Sequence, residues 1–387
     1  MTSSWPRYSS KEISKINNII KSGKVNYWTG NEGKSFEREF SQFCKTKYAV
    51  AVSNGTVALE IALRALGIKK DDEVIVPSCT YIATATAVLN IGANPLFADI
   101  DINSLNIECK EIKKLISKKT KAIIVVHLGG FPCEMDQIMK IARKNNIKVI
   151  EDCSQAHGAK YKNKPVGSIG DISTWSFCQD KIISTLGEGG MIATDKKKYF
   201  DFIWSYKDHG KSRIEMNNSK NKIGFKWVHN NRGSNHRLTE LQSAVGRIQL
   251  RNIEKNNKIR KSNAKAIYKV CSKYSKNIRI PSYPNEIMHA WYRCYIFVEQ
   301  EGLINKLKRD KLLDLLNKNG VRCLAGSCAE IYREKVFNNY KLKPSKRLKN
   351  SRRIQDSSLA FLIDQTISRE KIKMITRKID IIFRNFF

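Results

Sequence analysis

The chain has 387 residues, 41% of them hydrophobic and 27% charged, which indicates a soluble globular protein with one large and one smaller domain. Its 70 lysines and arginines exceed its 36 aspartates and glutamates, so the formal net charge is +34. This charge would attract nucleic acid, anionic lipid or a phosphorylated substrate, but the lysines are spread over the whole chain. We therefore attribute most of it to a solvated basic surface and the rest to steering of an anionic substrate.

Membrane and metal functions have little support in the sequence. No apolar run approaches the length that spans a bilayer, and the first residues lack a basic start followed by a continuous apolar segment. We therefore expect a cytoplasmic protein without a membrane span. The ten cysteines form no C-x-x-C pair, so we expect free thiols and no metal site. A nucleophilic Cys178 is an alternative that no second motif supports.

The N-terminal quarter predicts a phosphate-binding turn. Isoleucines at helical spacing follow Ser-Ser-Lys-Glu, so residues 1–25 predict a capped helix, and residues 26–40 begin as a loop and become a second helix. A short apolar strand at 48–52 then leads through Ser-Asn-Gly-Thr (53–56) into a helix. The free N–H groups and the dipole at the start of such a helix favour an anion. Without further context, the turn is simply a good helix cap.

Strand and helix alternate through the next hundred residues. The predicted strands are 72–77, 97–101, 122–127 and 147–150, and the predicted helices between them are 82–91, 108–117 and 133–145. This alternation predicts an α/β fold with a mostly parallel sheet whose two faces are covered.

The central stretch, 151–190, combines an acid and a lysine in an order that chemistry can use. Asp152 follows a buried strand, at the edge of the sheet where ligands of α/β proteins bind. Lys181 comes four residues after a second predicted strand, 172–177, and precedes a glycine-rich turn. Pyridoxal 5'-phosphate (PLP) needs an amine for its aldehyde and an anion at its pyridine nitrogen. The pattern therefore suggests PLP, although a lysine beside glycines is also an ordinary solvated turn residue.

The remaining chain predicts more helices and a second domain. A strand at 191–194 and a helix ending near 208–210 precede an irregular polar segment, 211–234, and another helix follows Leu238. After residue 250 the predicted elements are a basic helix over 251–274, a strand over 291–298, a helix and strand within 309–323, and an exposed loop over 341–353. We predict a large domain, 1–250, and a small C-terminal domain, 251–387.

Four motifs of the central stretch resemble one enzyme family. They are E-D-x-x-Q-x-H-G-A at 151–159, Gly170-Asp171, S-F-x-x-x-K at 176–181 and G-E-G-G at 187–190. In order and spacing they resemble the PLP-dependent sugar-nucleotide aminotransferases of the DegT/DnrJ/StrS type, with their perosamine-synthase-like members. The resemblance runs from about Gly30 to Leu250 and more loosely to the C-terminus. It implies the aspartate-aminotransferase-like fold (fold type I) with a small α+β C-terminal domain.

The resemblance also assigns roles to individual residues. It implies that Lys181 binds the cofactor and moves a proton, while Asp152 keeps the pyridine nitrogen protonated. The cofactor-binding residues that it implies are Gly55, Thr56, Tyr81, Asp152, Gln155, Ser176, Lys181 and Asn235. Tyr81 would stack on the ring, and Gln155 would bind the phenolic oxygen. His127 would be a structural hydrogen-bonding residue.

Substrate residues are implied in two further segments. Trp28 and Thr29 resemble a segment that lies near the sugar in the family, although Trp28 can equally anchor its loop to the core. Asn235 and Arg237 match a motif that reaches across a homodimer interface, where the asparagine touches the PLP phosphate of the other subunit. In a single chain the same pair would simply cap the next helix. The segment 361–366 departs from the family pattern, which leaves its contact with substrate open.

The implied reaction moves an amino group from glutamate to a nucleotide-linked keto-deoxysugar, for surface polysaccharide or related glycans. Some relatives have histidine in place of the lysine and deoxygenate sugars, so Lys181 argues for transfer. A sugar dehydratase and an aminotransferase for a non-sugar ketone are alternatives within the fold. A basic nucleic-acid-binding regulator and a structural partner in a polysaccharide assembly complex are alternatives from other classes. No nucleic-acid-binding motif supports the regulator.

Overall fold

A seven-stranded sheet forms the centre of the computed structural model, which describes residues 3–219 and 223–387. The helices of the described residues are α1 (Ser10–Ser22), α2 (Glu32–Cys44), α3 (Gly55–Ala65), α4 (Ala83–Asn90), α5 (Cys109–Leu115), α6 (Met135–Lys144), α7 (Lys197–Tyr206), α8 (Arg213–Asn218), α9 (Glu240–Arg251), α10 (Ile253–Cys271), α11 (Lys306–Lys318), α12 (Lys349–Ser357) and α13 (Arg369–Phe386). The strands are β1 (Tyr48–Val52), β2 (Glu73–Pro77), β3 (Asn94–Ala98), β4 (Thr120–Val126), β5 (Lys148–Asp152), β6 (Lys160–Tyr161), β7 (Lys164–Pro165), β8 (Ile172–Ser176), β9 (Gly190–Thr194), β10 (Ile278–Arg279), β11 (Ile287–Met288), β12 (Cys294–Val298), β13 (Cys323–Leu324) and β14 (Ser358–Phe361).

The central sheet has the strand order β1-β9-β8-β5-β4-β2-β3. The pairs from β8 through β5, β4 and β2 to β3 are parallel, whereas β9 runs antiparallel to both of its neighbours. Its strands are almost entirely buried, as expected when helices cover both faces of a sheet. The predicted α/β fold with a mostly parallel sheet is therefore confirmed.

Local signals explain where several helices begin. Ser9 and Glu12 form the predicted capping box of α1, in which each side chain bonds the backbone N–H of the other residue. Asn54 caps α3 by accepting a hydrogen bond from Val57 N. A second capping box, Thr239 with Gln242, begins α9. These short-range contacts are readable from sequence because both partners lie within one helical turn.

Three predicted elements differ from the structure. The third strand ends at Ala98 instead of reaching residue 101, because Asp99 turns away from the sheet to bond other backbone groups. The segment 211–234, predicted as irregular, contains α8. Ser212 caps the N-terminus of this helix by accepting a hydrogen bond from Glu215 N. The segment 341–353, predicted as an exposed loop, contains the start of α12.

The C-terminal third builds a second, antiparallel sheet of order β10-β12-β14-β13, which shares a hydrophobic core with α10, α11 and α13. Its residues also enter the core of the first sheet, where Phe297 and Ala360 pack with Val76 and Val126. The carboxylate of Asp99 accepts hydrogen bonds from the first N–H groups of α12 and thereby joins the two sheets. The division at residue 250 stays a prediction. Within the described residues, no helix is both long and apolar enough to cross a lipid bilayer.

Candidate active site

A cavity of about 780 Å³ opens at the carboxyl ends of the central strands. The predicted cofactor-binding residues that line it are Gly55, Thr56, Tyr81, Asp152, Gln155, Ser176 and Lys181. They come from five separate segments, and the sheet brings them together because parallel strands end at the same edge. The structure thus brings seven of the eight predicted residues to one cavity, the exception being Asn235.

Asp152 is the last residue of β5 and its side chain is buried at the floor of this cavity. Its Oδ1 accepts a hydrogen bond of 3.0 Å from Ser154 N. Burial raises the pKa of this carboxyl above its ordinary value, against the smaller lowering effect of the Ser154 bonds and of Lys181. A cation or a charged N–H group beside this buried side chain would stabilise its ionised form.

Lys181 lies on the turn between β8 and β9, and its side chain is largely buried. The amine is 3.8 Å from Asp180 Oδ1 and 5.1 Å from the centre of the Tyr292 ring. Burial alone would lower the pKa of this amine, but Tyr292 and Asp180 outweigh it and the pKa is raised. The indole of Trp5 donates a 2.8 Å hydrogen bond to the Lys181 carbonyl and so fixes the turn from the N-terminal side.

The N-terminus of α3 forms one end of the cavity. A Cβ on Gly55 would lie 2.7 Å from Cβ of Ser176, and one on Gly190 would lie 2.4 Å from the Asn54 carbonyl oxygen. Only glycine therefore allows β8, β9 and the helix start to approach so closely. The first N–H groups of α3 have no partner within the helix, and the hydroxyls of Thr56 and Ser176 lie beside them. This arrangement fits a phosphate group.

Gln155 and Tyr81 complete the cavity on its other sides. The side-chain oxygen of Gln155 accepts a 2.7 Å hydrogen bond from Gly129 N, which fixes the orientation of the amide. The amide NH₂ is therefore the group that Gln155 can offer to a ligand. Tyr81 is 69% exposed although it lines the cavity, so its ring is available for stacking on a flat ligand.

A buried group of His127, Glu151 and Cys153 has the residue types of a metal site. The imidazole Nδ1 already accepts a hydrogen bond from Cys133 N, and Nε2 donates to Glu151 at 3.1 Å. Both imidazole nitrogens are thus occupied, and the Glu151 carboxylate also accepts hydrogen bonds from the N–H groups of Gly167, Ile169 and Gly170. The group supports β5 behind Asp152 and agrees with the structural role predicted for His127.

The predicted substrate residues lie outside this cavity. Trp28 donates from its indole N–H to Asp208 Oδ2 at 2.6 Å, and Arg237 forms an ion pair with Oδ1 of the same carboxylate. We call Trp28, Asp208 and Arg237 the Asp208 cluster. Asn235 is exposed and its backbone pairs with Asp208, while the Thr29 hydroxyl donates to the Asn26 carbonyl. In a single chain, none of these four predicted residues lines the cavity.

The C-terminal part supplies cavity residues that the sequence analysis missed. Tyr292 and Arg293 lie just before β12 and line the cavity beside Asp180. The only sequence signal was an arginine between aromatic residues at the start of a predicted strand. Glu240, at the start of α9, accepts hydrogen bonds from the first N–H groups of α2 and thus positions the Trp28 loop. A Cβ on Gly30 would overlap this carboxylate, which explains the glycine there.

A sheet of this order, with a lysine, an acid and a helix N-terminus in one cavity, defines the class of PLP-dependent enzymes with the aspartate-aminotransferase-like fold. Residues 6–380 match the DegT/DnrJ/EryC1/StrS aminotransferase family, and the chain belongs to it. The family predicted from the motifs of the central stretch is therefore confirmed, and the protein is an aminotransferase.

Individual relatives and solved structures agree with the family and the fold. The chain is 38% identical to GDP-perosamine synthase of Escherichia coli O157:H7 over 80% of this chain and 82% of that protein. The X-ray structure of the aminotransferase from Psychrobacter cryohalolentis is 42% identical, with a TM-score of 0.97 over the full length of both chains. Escherichia coli GDP-4-keto-6-deoxy-D-mannose-3-dehydratase with bound hydrated PLP is 25% identical, with a TM-score of 0.84 over 98% of this chain and 99% of that one. Fold type I and the predicted cofactor, PLP, are confirmed by these comparisons.

Proposed function

We propose that this protein transfers an amino group from an amino acid, glutamate, to a keto-deoxysugar carried on a nucleotide, for the biosynthesis of a surface glycan. The observation that carries the proposal is the presence of Lys181, Asp152 and the N-terminus of α3 in one cavity. The relatives named above support the substrate class, since GDP-perosamine synthase is named for a nucleotide-linked amino sugar. Such a reaction belongs in the cytoplasm, where nucleotide sugars are made.

The polar groups that line the cavity fit the chemistry of PLP. Gly55 and Gly190 allow β8, β9 and the start of α3 to approach closely, which brings Ser176 to the helix N-terminus where the phosphate would bind. The raised pKa of buried Asp152 marks a carboxylate that needs a charged N–H partner. When bound, PLP supplies an aldehyde that takes up the amino group and a protonated ring that accepts electrons from the broken C–H bond.

Each residue of the cavity has one task in this proposal. Lys181 would hold the aldehyde in the resting enzyme, and its amine, once free, would take the proton from the α carbon of the donor and return it to the cofactor. Asp152 remains a carboxylate and keeps the proton on the ring nitrogen. Gln155 donates its amide N–H to the phenolic oxygen, and Tyr81 stacks on the ring. Gly55, Thr56 and Ser176 bind the phosphate.

Mass spectrometry of a single incubation tests the proposed reaction. The enzyme receives ¹⁵N-labelled glutamate and a panel of nucleotide-linked keto-sugars and simple ketones, with Lys181→Ala as the control. We expect one sugar in which labelled nitrogen replaces the keto oxygen. Loss of a hydroxyl without gain of nitrogen would identify a dehydratase, and amination of a simple ketone alone would identify a non-sugar aminotransferase.

We also propose that the active enzyme is a homodimer with shared sites, in which Asn235 binds the phosphate of the partner subunit and Trp28, Thr29 and Arg237 approach the partner's sugar. The exposure of Asn235 supports this, because an asparagine that only capped α9 would bond that helix, whereas Thr239 caps it. We further propose that residues 1–250 form a large PLP-binding domain and residues 251–387 a small C-terminal domain.

Subunit mixing tests the shared site. Lys181→Ala removes the reacting amine, and Asn235→Asp sets a negative charge against the phosphate. If the sites are shared, a mixed dimer keeps one site with both native residues, so an equal mixture of the two inactive variants recovers roughly a quarter of wild-type activity. The absence of any recovery, with mixed dimers demonstrated by differential tags, would contradict a shared site.

A further inference from the structure

More acidic than basic side chains line the cavity. Its carboxylates are Asp152, Asp180, Glu188 and Glu334, whereas Lys181 and Arg293 are its cations among the described residues. An amino-acid donor brings at least one more carboxylate into this cavity. Because Lys181 must react with the cofactor, Arg293 is the cation from the same chain that remains to bind the anion.

Arg293 is held in a fixed position beside the reacting lysine. Its Nη2 donates to Asp180 Oδ2 at 3.2 Å and to the Tyr292 hydroxyl at 3.0 Å, and its Nη1 donates to the Tyr292 carbonyl at 3.3 Å. The guanidinium also lies over the Tyr292 ring, 3.9 Å from its centre. These bonds use three of its five N–H groups, and the side chain is 14% exposed toward the cavity.

The distance between the two cations suits an α-amino acid. The Lys181 amine lies 5.1 Å from the centre of the same Tyr292 ring, so the amine and the guanidinium are no more than about 9 Å apart. In an α-amino acid the carboxylate is bonded to the carbon that carries the transferred nitrogen. In a nucleotide sugar the sugar ring separates the pyrophosphate from the keto carbon. The donor carboxylate is therefore the anion that comes closest to Arg293.

We propose that Arg293 binds the α-carboxylate of the amino-acid donor and so selects α-amino acids over simple amines. The proposal deepens the proposed function and rests on it for the identity of the donor. Asp180 is 47% exposed, so its single bond to Nη2 can be exchanged for a bond to the incoming carboxylate without burying an unpaired charge. A planar guanidinium bonds a carboxylate in two places, which an ammonium ion cannot reproduce.

Calorimetric titration with glutarate tests the proposal on the PLP-loaded enzyme. Glutarate keeps the two carboxylates of glutamate but lacks the amine, so its binding does not depend on reaction with the cofactor. We expect Arg293→Gln to raise the glutarate dissociation constant about tenfold to a hundredfold, as for a lost hydrogen bond between charged groups. Arg293→Lys should restore part of the affinity. Arg333→Gln, which removes an exposed arginine paired with Glu330 beside the cavity wall, should leave the affinity unchanged.

Separate half-reactions decide between the donor and the sugar. Arg293→Gln should raise the KM for glutamate by a similar factor, while enzyme loaded with pyridoxamine phosphate should aminate the keto-sugar with an unchanged KM. Unchanged glutarate affinity in both Arg293 variants, or a rise confined to the keto-sugar KM, would overturn the proposal. If wild-type enzyme binds glutarate through Arg293 but aminates no nucleotide-linked keto-sugar, the proposed function fails and the carboxylate site remains.

Discussion

The cofactor cavity and the Asp208 cluster contain similar residue types, but their polar groups are used differently. In the Asp208 cluster, the Trp28 indole and the Arg237 guanidinium both donate to one carboxylate. Burial there would raise the pKa of Asp208, yet Lys211 and Arg237 outweigh it and the pKa is lowered. In the cavity, Asp152 has a raised pKa, and the Gln155 amide and the start of α3 offer N–H groups to a ligand. Groups without protein partners therefore distinguish the cavity from the Asp208 cluster.

The same contrast appears between two adjacent residues of β5, whose side chains point to opposite faces of the sheet. Both Glu151 and Asp152 are buried. Burial raises the pKa of both carboxyls, but His127 and the backbone N–H groups of Gly167 and Gly170 outweigh it at Glu151, whose pKa is lowered. Asp152 lacks comparable partners. Glu151 therefore serves the fold, whereas Asp152 is kept for a ligand.

The largest effect should come from Lys181→Ala. Removing the amine that holds the aldehyde and carries the proton should lower kcat by at least about a thousandfold. It should also remove the covalent adduct that borohydride traps at position 181, measured by peptide mass spectrometry. Lys162→Ala, on an exposed lysine paired with Asp136, is the matched control and should keep both. Retention of activity and of the adduct in Lys181→Ala would contradict the assigned role.

Asp152→Asn should have the next largest effect. The neutral amide cannot keep a charge on the ring nitrogen, so we expect kcat to fall about a hundredfold or more and PLP to bind less tightly. Because the pKa of Asp152 is raised in the free protein, wild-type affinity for PLP should decline as the pH falls toward that value. In Asp152→Asn, the affinity for PLP should lose the part of its pH dependence that protonation of Asp152 causes, as measured by fluorescence titration. Asp136→Asn, an exposed change, should behave like wild type.

Glu151→Gln should affect stability more than chemistry. The amide cannot accept all the hydrogen bonds that Glu151 accepts, so the free energy of unfolding should fall by about 2–4 kcal/mol at neutral pH. Since the folded-state pKa of Glu151 is lowered, its stabilisation is complete above the unfolded pKa and is lost as the pH falls through the folded value. The difference between wild type and variant should therefore shrink below about pH 4, measured by urea unfolding. A difference independent of pH would contradict an ionised Glu151.

Asp208→Asn should have the smallest effect and tests the comparison most directly. The Trp28 and Arg237 side chains lose their shared carboxylate, so the free energy of unfolding should fall by about 1–2 kcal/mol. The glutamate half-reaction, followed by stopped-flow absorbance, should keep its rate because the cluster does not line the cavity of its own chain. A slower glutamate half-reaction at unchanged stability would mean that the cluster acts in donor chemistry.

Short-range patterns predicted much of the fold and several residues that the structure brings to the cavity. The cap of α3, the Asp152 strand end and the Lys181 turn depend on neighbouring residues, so their sequence context was sufficient. The helix α12 was missed because its cap, Asp99, lies about 250 residues earlier in the chain. Arg293 was missed for the same reason, since its position in the cavity depends on its hydrogen bond to Asp180, which is distant in sequence. Contacts of this kind become visible only when the chain is folded.

The Asp99 carboxylate limits how the enzyme can open. It accepts hydrogen bonds from Asn350 N and Ser351 N, both at 2.9 Å, and the Ser351 hydroxyl also bonds that of Ser78, the residue after β2. Swinging the C-terminal sheet outward as a rigid lid would break all three contacts and leave the Asp99 carboxylate with the hydrogen bond from Ile100 N but without its partners in α12. We therefore expect substrate entry and product release to occur with the two sheets joined at Asp99, through movements of surface side chains and loops.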